Sequence, residues 1–348
     1  MSKILVYGAN GYTGRLVVKA ALEQGIAITL AGRSPKAIQD LAKVSGFPYV
    51  VFGVDEIDKL QAALDEHEVL LNCAGPFPRT APQLIAGCLR TSTHYLDITG
   101  EIAQFEKIRM QHEYAVATGI CMIPGVGFDV VPTDCLAKKL ADRFEDGRSL
   151  ELAFMNLGGG ISHGTLTTML TNLGHGGMER IDGKLVTVPL AKHGKIIDFG
   201  IKKRFCISIP WGDVSTAAVG TAIRDTVVYS AAPKKYFHVL KAQGLLNPIL
   251  KSSFFKRWAQ KKIDREVFGP TAEQNRNGRS LVWGKLTAPD GRHLELRFEG
   301  PESYWLTALT ALHIAQKCVE SPPKPGYHTP ATAFGPDLIT EIPGCRFF

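Results

Sequence analysis

The chain opens with an unbroken apolar run, Ile4-Leu5-Val6-Tyr7, that gives way to glycines at 8, 11 and 14. Apolar residues without polar alternation read as a strand buried on both faces, as in a parallel sheet. The glycines allow a tight turn and a close approach of backbone to a bound pyrophosphate. Residues 13–24 then read as a helix whose N-terminus, with its unsatisfied N–H groups and positive dipole end, would point at those phosphates. Glycines also cluster in loops for structural reasons alone, but strand, glycines and helix in this order favour a dinucleotide site. Its candidate residues are Gly8, Asn10, Gly11, Tyr12, Thr13 and Gly14.

The second strand, residues 26–31, is followed by Gly32-Arg33-Ser34-Pro35-Lys36. A site for NAD puts an acid near this point to hold the ribose 2′-hydroxyl, whereas a site for NADP puts arginine there for the 2′-phosphate. No acid occurs between Gln24 and Gln39, while Arg33, Ser34 and Lys36 can all bind phosphate. The expected cofactor is NADP(H).

A chain of 348 residues, 45% hydrophobic, can bury a large core and is expected to form two domains. No apolar stretch approaches the ~20 residues of a membrane span, and from the immediate entry into a strand no signal peptide is expected. Seven cysteines, at 73, 88, 121, 135, 206, 318 and 345, include no CxxC pair. That pattern suits incidental thiols in a reducing cytoplasm, with neither a disulfide framework nor a zinc or other metal site. The net charge of +7 is local: residues 233–265 hold nine Lys or Arg and one acid, Asp264, which is +8 and leaves −1 for the remainder. Such a distribution argues against nucleic acid as a partner of the whole protein.

Along the first ~145 residues strands and helices alternate, the pattern of a doubly wound parallel sheet. Strands are expected at 49–52, 69–73, 94–97 and 120–123, with helices at 55–64 and 103–117, which completes a six-stranded Rossmann unit. Beyond residue 148 the expected strands, 150–156, 196–199, 204–209, 226–230, 280–287 and 293–298, follow one another with few helices. They suggest a second α+β domain with a largely antiparallel sheet. A helix at 302–319 precedes a proline-rich break at 322–326. The expected division is a Rossmann domain over 1–147 and a substrate or closure domain over 148–319.

Several segments carry a family likeness: the 8–14 loop with Ala31-Gly32-Arg33, Asn72-Cys73-Ala74-Gly75-Pro76-Phe77, the stretch His94–Glu101, and Pro124-Gly125-Val126-Gly127-Phe128-Asp129. Together they resemble the saccharopine dehydrogenase-like oxidoreductases. Ser162-His163-Gly164-Thr165, the stretch 209–216 and the stretch 329–335 are most similar to the branch that includes the trans-acting enoyl reductases. Ala222-Ile223-Arg224-Asp225 departs from it, standing where an Ile-Pro-Asn-like sequence is usual. The resemblance implies a Rossmann domain, a nicotinamide hydride carrier, a second domain closing over the nicotinamide, and a tail, 320–348, packing back on the nucleotide domain.

Ligands of open α/β sheets bind outside the carboxyl ends of the strands. Cys73, Ala74, Gly75 and Pro76 follow strand four, where backbone should pass near the nicotinamide ribose, although Gly75-Pro76 also suits a plain turn. Tyr95 and Asp97 end strand five, and Asp97 could simply cap the next helix. Asp129 follows strand six and could cap the helix starting near Val131-Pro132. His163 follows Gly158-Gly159-Gly160, although a lone histidine is more often a packing residue. Reduction of an imine or an enoyl group needs a proton donor, and Tyr95, Asp129 and His163 are the catalytic candidates. No tyrosine has lysine four residues on, which excludes the short-chain dehydrogenase Tyr-x-x-x-Lys pair. A reactive thiol at Cys73 or Cys135 has no distinguishing neighbours.

In the basic segment 247–262, Leu250, Phe254 and Trp258 share a helical face, with Lys251, Lys261 and Lys262 on or beside it. That poor segregation favours a surface helix packing its aromatic stripe on the core. An interfacial membrane contact or an acidic acyl-carrier partner are the alternatives. The function expected is NADP(H)-dependent hydride transfer to an enoyl bond of a lipid-like or polyketide substrate, in the cytoplasm or at the periphery of a membrane. Reduction of an amino-acid-derived imine is the alternative, although Arg180, Arg204 and Arg224 are too scattered for a carboxylate cluster. A non-catalytic NADPH sensor or scaffold, and a homodimer, stay open.

Overall fold

The computed structural model describes residues 2–160, 164, 166–167, 170, 174, 176–241, 252–266 and 269–348. Contacts divide the chain into two compact units, one of residues 1–131 and 304–338, the other of 132–303 and 339–348.

The first unit is built on a seven-stranded, all-parallel sheet. Its elements are β1 (Ile4–Tyr7), α1 (Tyr12–Gln24), β2 (Thr29–Gly32), α2 (Pro35–Ser45), β3 (Tyr49–Val51), α3 (Ile57–Asp65), β4 (Val69–Asn72), α4 (Phe77–Thr91), β5 (His94–Asp97), α5 (Ile102–Arg109), α6 (His112–Thr118) and β6 (Cys121–Ile123). The strand order β6-β5-β4-β1-β2-β3 reverses direction beside β1, so the loops after β1 and β4 flank one crevice. Ile4, Leu5, Val6, Val69, Leu70 and Leu71 are all buried, as both-face coverage of a parallel sheet requires. The single helix expected over 103–117 is two, α5 and α6, separated at Met110 and Gln111.

Two later segments join this unit. Gly326–Tyr327 adds as a seventh strand parallel to β6. The helix Ser303–Glu320, expected to end the second domain, packs against the nucleotide sheet from Tyr304 on. Thr310 Oγ1 donates to the Val126 carbonyl at 2.8 Å, Phe128 N–H donates to Thr307 Oγ1 at 3.0 Å, and the Cys318 and Cys121 sulfurs lie 4.0 Å apart. The helix lacks a wide polar face, which fits a buried position. The tail therefore divides: 320–338 return to the first unit and 339–348 belong to the second.

In the second unit, α7 (Val131–Arg143, its first residue in unit 1) precedes β7 (Ser149–Leu157), β8 (Gly177–Ile181), β9 (Lys184–Val188), β10 (Gly194–Asp198), β11 (Lys203–Ser208), β12 (Asp225–Ala231), β13 (Arg279–Thr287) and β14 (His293–Pro301). The sheet runs β10-β11-β12-β7-β13-β14 and ends on Arg346–Phe347, with the hairpin β8–β9 off β12. Among the described residues, only β7 and β12 pair in parallel in this sheet; the other pairings are antiparallel. One face receives α7, where a side chain at Gly284 would collide with Leu136. The opposite face buries Ala153, Met155, Ile197, Phe199, Cys206, Tyr229, Leu281 and Trp283. It can do so because the sheet curls: Arg297 Nε on β14 donates to the Asp198 carbonyl on β10 at 3.0 Å. Lys195 caps this interior, its Nζ 4.9 Å from both the Tyr229 and Trp283 rings and paired with Glu151.

Among the described residues, no helix is long and apolar enough to cross a membrane, and no three His, Cys, Asp or Glu are grouped to hold a metal ion.

Candidate functional site

The glycine loop is constrained from two directions. Gly8 has φ +83°, and a Cβ there would lie 2.8 Å from both the backbone nitrogen and Cβ of Ala74. The loops after β1 and β4 therefore touch through a residue that must lack a side chain. A Cβ at Gly14 would run into the Gly8 carbonyl oxygen, so the third glycine lets α1 lie against the turn. Gly11 caps α1 without a side chain, leaving first-turn amides for an anionic ligand. Asn10 reaches the β2 end, where a Cβ on Gly32 would be 2.9 Å from Asn10 Oδ1. Tyr12 is held edge-on to Tyr304 at 5.2 Å.

At the end of β2, Arg33 and Lys36 are exposed and Ser34 is half-buried. Ser34 occupies the N-cap of α2 but makes no side-chain cap bond, and Pro35 follows at the first helical position. Its hydroxyl is therefore not committed to the helix end. A cleft of about 420 Å³ is lined by Ser34 and Lys36 together with Arg15, Asp40, Leu41 and Val44. Arg15 is held there by donating from Nε to the Asn10 carbonyl at 3.0 Å. It lies one turn into α1 and was not among the residues expected from sequence. Its only signal there is position: the fourth residue of the helix that follows the glycine turn. Acids also come near from β3. Burial raises the Tyr7 phenol, Arg33 opposes that rise, and Asp55 and Glu56 add to it. Glu56 is engaged by the Gly53 amide at 2.7 Å and by Lys59.

The ends of β4, β5 and β6 share a buried polar network. Ala74 N–H donates to Asn72 Oδ1 at 2.9 Å, and Asn72 Nδ2 donates to the Tyr95 hydroxyl at 3.3 Å. Tyr95 in turn donates to Asp97 Oδ2 at 2.8 Å. Asp97 Oδ1 accepts from Thr99 N–H at 3.0 Å and Gly125 N–H at 3.1 Å. Tyr95 and Asp97 are both fully buried. Asp97 does not cap α5, whose N-cap is Glu101 with no side-chain cap bond; it ties the β5 and β6 loops together instead. Burial raises its carboxyl to about 6, against the pull of its three donors. Tyr95 is raised well above its ordinary range, first by burial and then by Asp97. A phenol with no exposed surface, already donating to a carboxylate, has no proton to offer a ligand directly.

Cys73 and Ala74 are half-buried and Gly75 and Pro76 exposed, with Gly75–Pro76 a cis peptide. Thr80 Oγ1 fixes this loop by donating to the Ala74 carbonyl at 2.6 Å. Burial pushes the Cys73 thiol up to about 12, so at neutral pH it is a protonated thiol, and Cys135 is fully buried. Neither is set up as a nucleophile.

Asp129 is half-buried beside Gly100, where a Cβ would sit 2.8 Å from Asp129 Oδ2. The surrounding protein strips enough water from its carboxyl to raise it to about 7. Of the three catalytic candidates, Tyr95 lies within β5 and Asp129 follows β6 of the same unit, and His163 lies outside the described residues.

Residues 4–123 match the family model described as the saccharopine dehydrogenase NADP binding domain. The chain is 34% identical over 162 residues to a trans-acting enoyl reductase of Mycobacterium leprae, covering 44% of this chain and 39% of that protein. It is 32% identical over 163 residues to the trans-acting enoyl reductase of Mycobacterium ulcerans, again 44% and 39% of the two chains. The matches thus span about two-fifths of the length of these relatives. The structure is similar to apo saccharopine dehydrogenase (L-Glu forming) from Saccharomyces cerevisiae, with a TM-score of 0.66 at 14% identity, over 98% of this chain and 96% of that one. At that identity the likeness is one of fold. The glycine turn and the reversal of strand order beside β1 agree with the family match: residues 4–123 are similar in sequence and topology to the saccharopine dehydrogenase NADP-binding domain.

Proposed function

We propose that the protein is an NADP(H)-dependent oxidoreductase that reduces the carbon–carbon double bond of an enoyl, lipid-like or polyketide substrate. The observation that carries the cofactor half is the Gly8–Ala74 contact, which seats two loops at the strand-order reversal and leaves a cradle that any side chain would fill. The trans-acting enoyl reductases among the relatives support the substrate half. When bound, the nicotinamide supplies the hydride.

The chain's own residues divide the remaining work. The first-turn amides of α1 would hold the pyrophosphate, and Arg33, Ser34, Lys36 and Arg15 the 2′-phosphate. Asn72 orders the Cys73–Pro76 loop through the Ala74 amide, and Tyr95 and Asp97 brace Asn72 from behind, which makes Tyr95 a positioning residue. Asp129, with a carboxyl near 7 and part of its surface accessible, can hold a proton at neutral pH and deliver it to a developing carbanion.

The test is NADPH oxidation with an α,β-unsaturated acyl thioester, beside a 2-oxo acid plus amine that forms an imine. Turnover of the thioester that falls as pH rises above about 7, a limb that Asp129→Asn removes, is the expected result. Turnover of the imine alone replaces the enoyl reading. NADPH binding with turnover of neither leaves a sensor or scaffold.

A further inference from the structure

The helix Ser253–Glu266 lies in the basic segment, and the proposed reaction makes no use of it. The aromatic stripe expected to pack on the core points the other way. Phe254 is 77% exposed and Trp258 57%. Arg257, Lys261, Lys262 and Arg265 are exposed too. At 3.6 residues per turn these six positions fall within an arc of about 140°. The side that packs is Phe255, Ala259 and Gln260, with Gln260 Nε2 donating to Thr167 Oγ1 at 3.0 Å. Ser252 Oγ accepts from the Phe255 amide at 3.2 Å at the helix start, and the Trp258 ring rests on Phe255 at 6.0 Å. Both exposed rings thus stand on an anchored helix. Leu250 and Lys251 lie outside the described residues.

We infer that this face docks on an anionic lipid surface. Two exposed rings and four cations share this arc, with the helix's two acids, Asp264 and Glu266, at positions outside it, and they complement a surface that is negative and apolar just beneath. Aromatic rings settle at headgroup depth, while lysine and arginine heads reach the phosphates from stems lying beside them. That mixture suits one shared depth. A protein docking site instead places aromatics at a dry centre with charges confined to its rim, and here Lys261 and Arg265 lie between and beside the rings. A second copy of the same face is disfavoured because it would bring four cations against four.

The experiment is co-sedimentation of the full chain with phosphatidylcholine vesicles, with and without phosphatidylserine. Binding to the anionic vesicles should exceed binding to neutral ones at least about tenfold and weaken with added salt. Phe254→Ala with Trp258→Ala, and separately Lys261→Glu with Arg265→Glu, should each lower it about tenfold or more, while Lys261→Arg with Lys262→Arg retains it. Far-UV circular dichroism and NADPH affinity should not change in these surface variants, which separates this inference from the nucleotide site. Absence of binding to anionic vesicles, or equal binding by the charge-reversed variant, overturns it. Trp258-dependent binding of poly-glutamate without vesicle binding would assign the face to an acidic protein instead.

Discussion

Replacing Asp97 by asparagine probes whether the β4–β5–β6 network is held by geometry or by charge. The carboxyl lies fully buried and accepts from Tyr95, Thr99 and Gly125. Its rise from 3.8 to about 6 means that burial disfavours the anion more than those donors favour it. Two pH units correspond to about 3 kcal/mol between protonation states. Because the folded value lies above the unfolded one, this contribution is fully present below about pH 4 and lost as pH rises through about 6. Asparagine stays neutral, and its amide oxygen can still accept from both backbone amides. Its NH₂ then faces the Tyr95 hydroxyl, a mismatch costing about 1 kcal/mol. Asp97→Asn should therefore be slightly less stable than wild type near pH 4 and more stable by up to about 2 kcal/mol near pH 7.5. Alanine removes the acceptor of three donors and should cost upwards of about 3 kcal/mol at every pH. Urea unfolding followed by far-UV circular dichroism across that range measures both. Asp129, raised to about 7, adds a slope of its own, which cancels in the difference between wild type and variant. Parallel curves for wild type and Asp97→Asn would refute the reasoning, since they would mean that Asp97 does not titrate on folding.

Arg33→Ala should weaken NADPH binding about tenfold, as expected for one exposed charge-assisted phosphate contact, and leave NADH unchanged in a fluorescence titration. Arg15→Ala should act in the same direction, and if both variants keep wild-type preference the 2′-phosphate lies elsewhere. Gly8→Ala combines a left-handed φ, costing about 1–2 kcal/mol, with a Cβ forced against Ala74, so NADPH affinity should fall more than tenfold while far-UV circular dichroism persists. In the second unit, burial works to raise the Glu299 carboxyl, but Arg346 and Arg279 outweigh it and hold it below the usual range. Glu299→Gln should destabilise that unit by about 1 kcal/mol to urea, since both arginines are largely exposed and their pull is screened, and an unchanged stability would show that the pairs contribute nothing.

Six strands of the parallel sheet were legible in the sequence because most are short apolar runs with glycine or proline close behind, and β1 through β6 fall near where that pattern puts them; the two-residue seventh strand, Gly326–Tyr327, carries no such pattern. The cofactor loop was legible for the same reason, since steric demand at Gly8 and Gly14 leaves a residue-type signature. The hairpin β8–β9 was missed: Lys184–Val188 holds only exposed or half-buried residues, so the apolar pattern is weak. A helix cap was one open reading of Asp97, because a cap and a loop tie use the same residue type two positions from a turn. The basic helix was misread in direction. Periodicity assigns residues to a common face, but it does not say whether that face turns inward or outward.

By itself the sequence determined the local units: which runs are strands, where glycine must stand, and which cationic and hydroxyl side chains follow β2. These follow from short-range sterics and from the period of apolar residues. Only the tertiary structure decided that Arg15 joins Ser34 and Lys36, that Tyr95 spends its proton on Asp97, and that the helix Ser303–Glu320 belongs to the nucleotide unit. Each of those depends on burial and on contacts between residues far apart in the chain, and such pairings leave no periodic trace along it.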